Sequence, residues 1–337
     1  MTPLRTIKVA GLATFGLAAA TTVMAEPLVI YTPQAEDRTA EIEKLAEAEL
    51  GIELEFVNMG GGAVYDRVLA ERNNPQADVI FGLIDFLTAG LKREGLLEPY
   101  TLEALDGLPD MYKDPDGYFY GYRQTPITVS YNADLLSEDE APKAWEDLAN
   151  PEWEGKFMIG ALTWQTTRAI LAGLFTRQID ENGEMTDAGW DWFADFYNNA
   201  VIYEDGMNRA EMMASGKNVI SLNHFLGVQR DAEDGGYNYV YVNTTGGTPI
   251  VVERNAILKG TDQMDEALAF LEFIQSVDFQ VWNAETFGVI PVHPDAIAQS
   301  PDDVRSNATL LDPQPIDWDL MAEKLDGWLE RIQLDLL

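Results

Sequence analysis

The chain has 337 residues, with 57 acidic side chains against 22 basic ones, two histidines, a net charge of −35 and no cysteine. A polyanion repels nucleic acid and anionic lipid, and the lack of cysteine excludes disulfides, thiolate metal sites, thiol nucleophiles and a lipid-anchored N-terminal Cys. The acids are dispersed with no block of five or more, which is the pattern of a solvated surface and not of an acidic tail. Residues 1–25 carry Arg5 and Lys8, an apolar run from Val9 to Val23, and small residues at Val23-Met24-Ala25. This is the layout of a secretory signal peptide, too short for a spanning helix with ordinary flanks. Its removal after residue 25 leaves 312 residues and 20 of the 22 basic side chains, for a charge of −37. A soluble, unanchored, exported chain of that length has room for two cores and points to the periplasm.

From Glu26 onward the periodicities alternate. Leu28 to Tyr31 reads as a strand, a turn follows at Thr32-Pro33-Gln34, and Ile42, Leu45, Ala46 and Leu50 mark a helix. Ile52 to Val57 alternates as a strand, Gly60-Gly61-Gly62 opens a helix with Val64, Val68 and Leu69, and Ala77 to Gly82 is a buried strand. The alternation predicts a parallel sheet covered on both faces, with a ligand outside the carboxyl ends of its strands. Asp114-Pro115-Asp116-Gly117 is a turn, after which Tyr118 to Asn132 is long, extended and aromatic. It reads as a crossing between domains. Strand and helix segments alternate again from Trp145 to Val242; Gly246-Gly247-Thr248-Pro249 then precedes a return crossing at Ile250-Val251-Val252, and Ala267 to Ile274 and Met321 to Ile332 are amphipathic helices. Two crossings around a cleft are the geometry of a hinged binding protein.

Several stretches carry a family likeness: AEPLVIYTP, NPQADVIFG, GLLEPY, YGYRQTPITVSYN, KAWEDLANPEWEGKFMIG, ALAFLEFIQSVDFQVWNAETFGVIPVHPDA and IDWDLMAEKLDGWLERI. In order and spacing they resemble the periplasmic solute-binding proteins of ABC importers in the ferric iron, thiamine, polyamine and phosphonate group. The most specific piece is Trp145 to Lys156. The resemblance implies an α/β, two-lobed periplasmic binding protein fold with two hinge crossings (type II). Lobe 1 is then residues 26–126 plus 251–300, lobe 2 residues 127–250, and residues 301–337 a C-terminal helical segment packing on the lobes. It also implies a monomer that captures a small-molecule solute and docks an ABC permease in the inner membrane, with no cofactor and no nucleic-acid partner.

Five turns are expected to meet at the cleft. After the first strand, Tyr31, Thr32 and Gln34 face it, or Tyr31 packs in the core. Gly61 and Gly62 bring main-chain N–H groups to a ligand at the positive end of a helix, which suits an anion, or they form a plain turn and cap; Tyr65 walls the same site or packs on the lobe. Thr125 lies on the first crossing. Thr163, Trp164, Thr166 and Thr167 open another helix; hydroxyls there are caps first, and the family's matching turn also faces the ligand. Asn208, Asn223 and His224 are polar readers, with Phe225 as an apolar wall. In the family's ferric members the segment matching Asn223-His224-Phe225-Leu226 reads Asn-His-Tyr-Tyr, so the paired phenolates are missing and no metal site is expected; a ferric-iron binding protein of the same family is the alternative, and it would need another set of donors such as Tyr31, Tyr237 or Tyr239. Tyr237, Tyr239 and Tyr241 alternate but do not match those positions. Glu253 and Arg254 lie where relatives carry small or apolar residues, either as local determinants or as a solvated surface pair.

The expected ligand is a small organic solute with a phosphate, phosphonate or carboxylate group. It sits between the starts of the helices after Gly62 and Thr166, walled by Trp164 and Phe225. A cationic ligand such as thiamine or a polyamine would instead need a cage drawn from Asp37, Asp85, Glu253, Trp164 and Tyr31. No catalytic constellation stands out: His224 and His293 lie in different segments, and Gly-x-Ser-x-Gly does not occur. A periplasmic hydrolase, built on a Ser-His-Asp triad or on paired carboxylates, is the alternative of a different class.

Overall fold

The computed structural model describes residues 26–204 and 206–337; the signal-peptide reading of residues 1–25 lies outside them. The first segment runs β1 (Leu28–Thr32), α1 (Glu36–Leu50), β2 (Leu54–Asn58), α2 (Gly61–Ala70), β3 (Val79–Ile84), α3 (Asp85–Arg93) and β4 (Leu97–Glu98). The long strand β5 (Phe119–Asn132) leads into β6 (Phe157–Gly160), α4 (Gln165–Thr176), α5 (Asp187–Asn199), β7 (Ala200–Tyr203), α6 (Arg209–Ala214), β8 (Ile220–His224), α7 (Phe225–Gly235) and β9 (Tyr239–Tyr241). A second long strand, β10 (Thr248–Leu258), precedes α8 (Met264–Gln275), α9 (Val277–Phe287), β11 (Ile290–Pro291), α10 (Pro294–Gln299), α11 (Asp302–Asn307), β12 (Pro313–Gln314) and α12 (Trp318–Asp335).

The strands follow the order β2-β1-β3-β10-β5-β8-β6-β7. The sheet is mixed, which corrects the all-parallel expectation. β1, β2 and β3 pair in parallel, as do β6, β7 and β8, but β10 runs antiparallel to β3 and β5, and β5 antiparallel to β8. The reason is that the two crossing strands are themselves paired, and one goes out while the other comes back. The partners of β5 change within the strand: through Pro126 it lies against β10 and β11, and from Ile127 against β8 and β9.

Each group of strands is covered by its own apolar layer. Ile42 and Ala46 of α1 and Phe270, Leu271 and Ile274 of α8 pack with Ile30, Phe81 and Ile257. Ile170, Leu171 and Phe175 of α4 and Phe193 and Phe196 of α5 pack with Phe157, Ile159 and Ile220. The C-terminal helix α12 touches both sides. Its Ala322 carbonyl accepts from Arg93 of α3, while Asp326 pairs with Arg168 of α4 and Trp328 packs on Phe175, ring centroids 4.9 Å apart.

Beside β10 the register slips twice. Tyr122 of β5 and Gly82 of β3 are extra residues opposite the Glu253–Asn255 stretch, a bulge on each flank. The N–H of Gly82 donates instead to the Asn255 side chain, 3.1 Å away. Glu253 and Arg254 are both buried, which corrects the solvated surface pair: on a strand, neighbours point to opposite faces, and both faces here are covered. Arg254 pairs with the buried Asp85 at 2.6 Å, and Asp85 also accepts from the Val252 N–H at 2.6 Å. Burial pushes the Asp85 carboxyl up, and Arg254 opposes it. Replacing Arg254 by Met strands that carboxylate in the core, so the loss expected in urea unfolding is about 3–5 kcal/mol. A loss within error of zero would show that the pair bears no weight.

Candidate functional site

A cavity of about 350 Å³ opens where α1, α4 and α7 begin and where β5 and β10 cross. Pro33, Gln34, Ala35 and Arg38 come from the β1–α1 turn and α1; Gln165, Thr166 and Ala169 come from α4, and His224 and Leu226 from the β8–α7 junction. The crossing strands add Arg123, Thr125, Ile127, Val251 and Glu253, and β3 adds Gly82 and Ile84. No tyrosine is in this lining.

Its polar floor is a closed ring of three side chains. Arg123 pairs with Glu253 at 2.6 Å and donates to the Gln34 carbonyl oxygen at 2.9 Å, while the Gln34 amide nitrogen donates back to Glu253 at 2.6 Å. The bulge makes the ring possible. Gly82 has φ +80°, and a Cβ there would lie 2.5 Å from the Gln34 amide nitrogen, so a glycine is required for both conformation and space. With its Nη2 engaged, Arg123 still holds its buried Nε without a partner, as does Arg38 with one buried Nη. Such donors are costly to leave unmade.

Helix starts supply further donors. Neither α1 nor α4 has an N-cap side-chain bond; in α1 the Arg38 N–H donates instead to Asp37 at 2.9 Å, whereas the first turn of α4 holds no acid and leaves the positive end of its dipole without a side-chain acceptor. His224 caps α7: its Nδ1 accepts from the Gly227 N–H at 3.1 Å, which puts the proton of the neutral ring on Nε2. Burial, helped by Arg230, Arg123 and Arg209, pushes the His224 pKa down to about 4. The ring is therefore neutral across the physiological range.

Of the residues anticipated from sequence, Gln34, Thr125, Thr166 and His224 line this cavity. Gly61, Gly62, Tyr65, Thr163 and Trp164 line a second cavity of about 650 Å³ beside it, bounded also by α3 and α12. The others are engaged elsewhere. The Tyr31 hydroxyl donates to Glu71 at 2.9 Å and is pushed up to about 12 by burial and that carboxylate. Thr32 donates to the Phe81 carbonyl; Thr167 is buried against Gly160, and Asn208 caps α6 by accepting from the Glu211 N–H. Asn223 is buried and donates to Asp231. Phe225 stacks on Tyr241 with centroids 4.8 Å apart, and Leu226 takes its place as the wall. The acidic cage does not assemble: Asp85 is locked to Arg254, Asp37 is exposed, Tyr31 is committed to Glu71, and Glu253 and Trp164 line different cavities. Sequence reasoning missed Arg38, Arg123, Gln165 and Gly82. Opposite charges on two apolar crossing strands, Arg123 and Glu253, were the available signal.

The comparisons agree with this architecture. Residues 40–311 match the bacterial extracellular solute-binding protein family, and the chain belongs to that family. The likeness to periplasmic binding proteins of ABC importers read from the sequence therefore holds. A probable ABC transporter periplasmic-binding protein of Sinorhizobium fredii is 44% identical over 320 residues, covering 95% of this chain and 89% of that one. Among solved structures, the ferric binding protein of Campylobacter jejuni superposes with a TM-score of 0.79 at 20% identity, over 91% of this chain and 98% of that one. The AfuA periplasmic binding protein of Actinobacillus pleuropneumoniae, solved with fructose-6-phosphate, gives 0.74 at 21%, over 92% and 98%. These two show the fold, a two-lobed α/β binding protein, and one such fold accommodates an iron carrier and a sugar-phosphate complex alike. Among the described residues no helix is long and apolar enough to cross a membrane.

The depressed His224 pKa carries a stability consequence. In the unfolded chain the ring binds a proton near pH 6.5 and in the folded chain only near 4, so the unfolded state takes up more protons between these values. The contribution is fully present above pH 6.5 and is lost as pH falls toward 4. Acidification across that window should cost wild type about 3 kcal/mol more than a His224→Gln variant, read by urea unfolding at each pH. Parallel pH curves for the two proteins would refute the assignment.

Proposed function

We propose that this protein is the solute-binding component of an ABC importer and captures a small organic anion in the cavity floored by Arg123, Glu253 and Gln34. The observation that carries the reading is the convergence of the Arg123 and Arg38 side chains on one cavity at which α4 begins without a side-chain cap or a first-turn acid. A phosphate, phosphonate or carboxylate in that cavity can take charge-assisted hydrogen bonds from the guanidinium groups and from the start of α4. Glu253 is saturated by Arg123, Gln34, Tyr122 and Thr125, so its role is to hold Arg123 in place and not to bind an ammonium group. The anion's position is thereby moved from the Gly62 turn to the starts of α1, α4 and α7. The relatives are binding proteins, and with its Nδ1 spent on a helix cap His224 is poorly placed as a catalytic base. We read the chain as a receptor and not an enzyme, acting as a monomer in the periplasm. Its lobes, residues 26–126 with 251–300 and residues 127–250, close about β5 and β10 and present the loaded form to a permease.

A thermal-shift screen of phosphonates, sugar phosphates, carboxylates, thiamine and polyamines tests the ligand class. The best anion should stabilise the protein by about 2.7 kcal/mol at a hundredfold excess over its dissociation constant. Arg38→Gln should weaken that binding by about tenfold or more. A shift with thiamine or polyamines alone would overturn the anion reading.

Ferric iron discriminates within the family. With no tyrosine in the cavity lining, Fe(III) should give neither a visible phenolate-to-iron charge-transfer band nor a stoichiometric rise in melting temperature. A coloured tight complex would mean that phenolate donors reach the site from elsewhere.

A further inference from the structure

The second cavity adjoins the first through one side chain. Gln165 lines both, and its amide lies against the first turn of α2, where a Cβ on Gly61 would come within 2.7 Å of the Gln165 carbonyl oxygen. Beyond Gln165 the chemistry changes. The first cavity is lined by Arg38 and Arg123; the second is walled by Tyr65, Phe86, Trp164, Leu87, Met321 and Leu325. Its lining cation, Arg168, is paired with Asp326 and lies over the Phe86 ring, 5.6 Å from its centroid. It is therefore no second anion site.

The aromatic wall is built into the backbone. Gly90 stands inside α3, where glycine is less stable than alanine by about 1 kcal/mol. A Cβ there would lie 2.9 Å from the Tyr65 ring, so the glycine lets the ring approach the helix closely. Trp164 is held similarly, edge-on to Tyr203 at 5.5 Å and against Gly160, where a Cβ would meet its ring at 2.6 Å. Two glycines thus seat two of the rings that line a cavity larger than the first.

We propose that the two cavities form one elongated site, and that the larger takes an uncharged aromatic or heteroaromatic body of the same solute whose anionic group is held beside Arg123. The inference rests on the anion reading above. It narrows the substrate class to organic anions with a ring spaced from the charged group by a short linker. Three aromatic rings in the lining and a cation already neutralised by Asp326 suit an uncharged ring.

The test is calorimetric titration of the mature protein with methylphosphonate, benzylphosphonate and phenylpropylphosphonate. At least one aryl phosphonate should bind about tenfold or more tightly than methylphosphonate, from burial of the ring. Gly62 lines the second cavity and a Cβ on it meets nothing within 4 Å, so Gly62→Phe can be introduced without a clash at Cβ and sets a phenyl group at the cavity wall. That variant should bring the aryl-to-methyl affinity ratio close to one. Tyr65→Leu, which keeps an apolar side chain against Gly90, should lower the ratio. Methylphosphonate binding with no aryl gain, or an aryl gain that survives Gly62→Phe, would overturn this inference and leave the anion reading standing. Failure of all three phosphonates to bind would overturn this inference as framed, and would overturn the anion reading too if sugar phosphates and carboxylates also gave no shift in the screen above.

Discussion

The structure turns on three residues of one strand. From Glu253 to Asn255, β10 is flanked by a bulge on each side, and each side chain does a different task in a different direction. Glu253 faces the cavity and holds Arg123 and Gln34; Arg254 faces the other way and neutralises Asp85 at the start of α3; Asn255 takes over the hydrogen bond that the displaced Gly82 can no longer make in the ladder. A regular ladder would pair Gly82 and Tyr122 across β10 and leave neither in reach of the carboxylate. Bulges re-aim side chains at sites of this kind. The ring of charges, the orientation of α3 and the crossing of the two strands are consequently one construction, and a change to any of the three residues is felt at the other two.

That construction allows an acidic chain to offer a cavity lined by arginine. A net charge of −35 would repel the solute at long range. In a medium of physiological ionic strength, however, exposed charges are screened over about 8 Å. Inside the cavity the balance is set by what is buried there: Arg38, Arg123 against one Glu253, an uncharged His224 and the starts of helices. The surface acids govern solubility, and the cavity governs selection. The two operate at different ranges and need not agree in sign.

Much of the fold was legible because periodicity and turn chemistry act locally. The strand at Leu28, the helix after Gly60, the turn at Asp114-Pro115-Asp116-Gly117 and the two crossings all appear close to where the pattern put them. The strand directions at the crossings were not legible, since antiparallel pairing of β5 with β10 joins residues more than a hundred positions apart. The site was half legible for the same reason. Turns after strands identified Gln34, Thr166 and His224 as lining residues, whereas Tyr31 and Phe225 are rings whose burial depends on Arg67, Glu71 and Tyr241, partners that no local pattern reveals. Arg123 and Glu253 sit in stretches that read as apolar strand, and their pairing depends on a register set by two bulges. Hydrophobic alternation carries no information about a one-residue slip of that kind.

Phe225 and Leu226 are adjacent at the start of α7, yet one stacks under the helix on Tyr241 and the other looks into the cavity. The first is part of the core and the second is part of the cavity surface. Position 226 can therefore drift among side chains of different chemistry while the core stays intact, and neighbouring lining positions on the same helix starts have the same freedom. On such a scaffold the cavity surface can change without repacking the core, so two chains of this shape can be equally stable and still differ in what they carry.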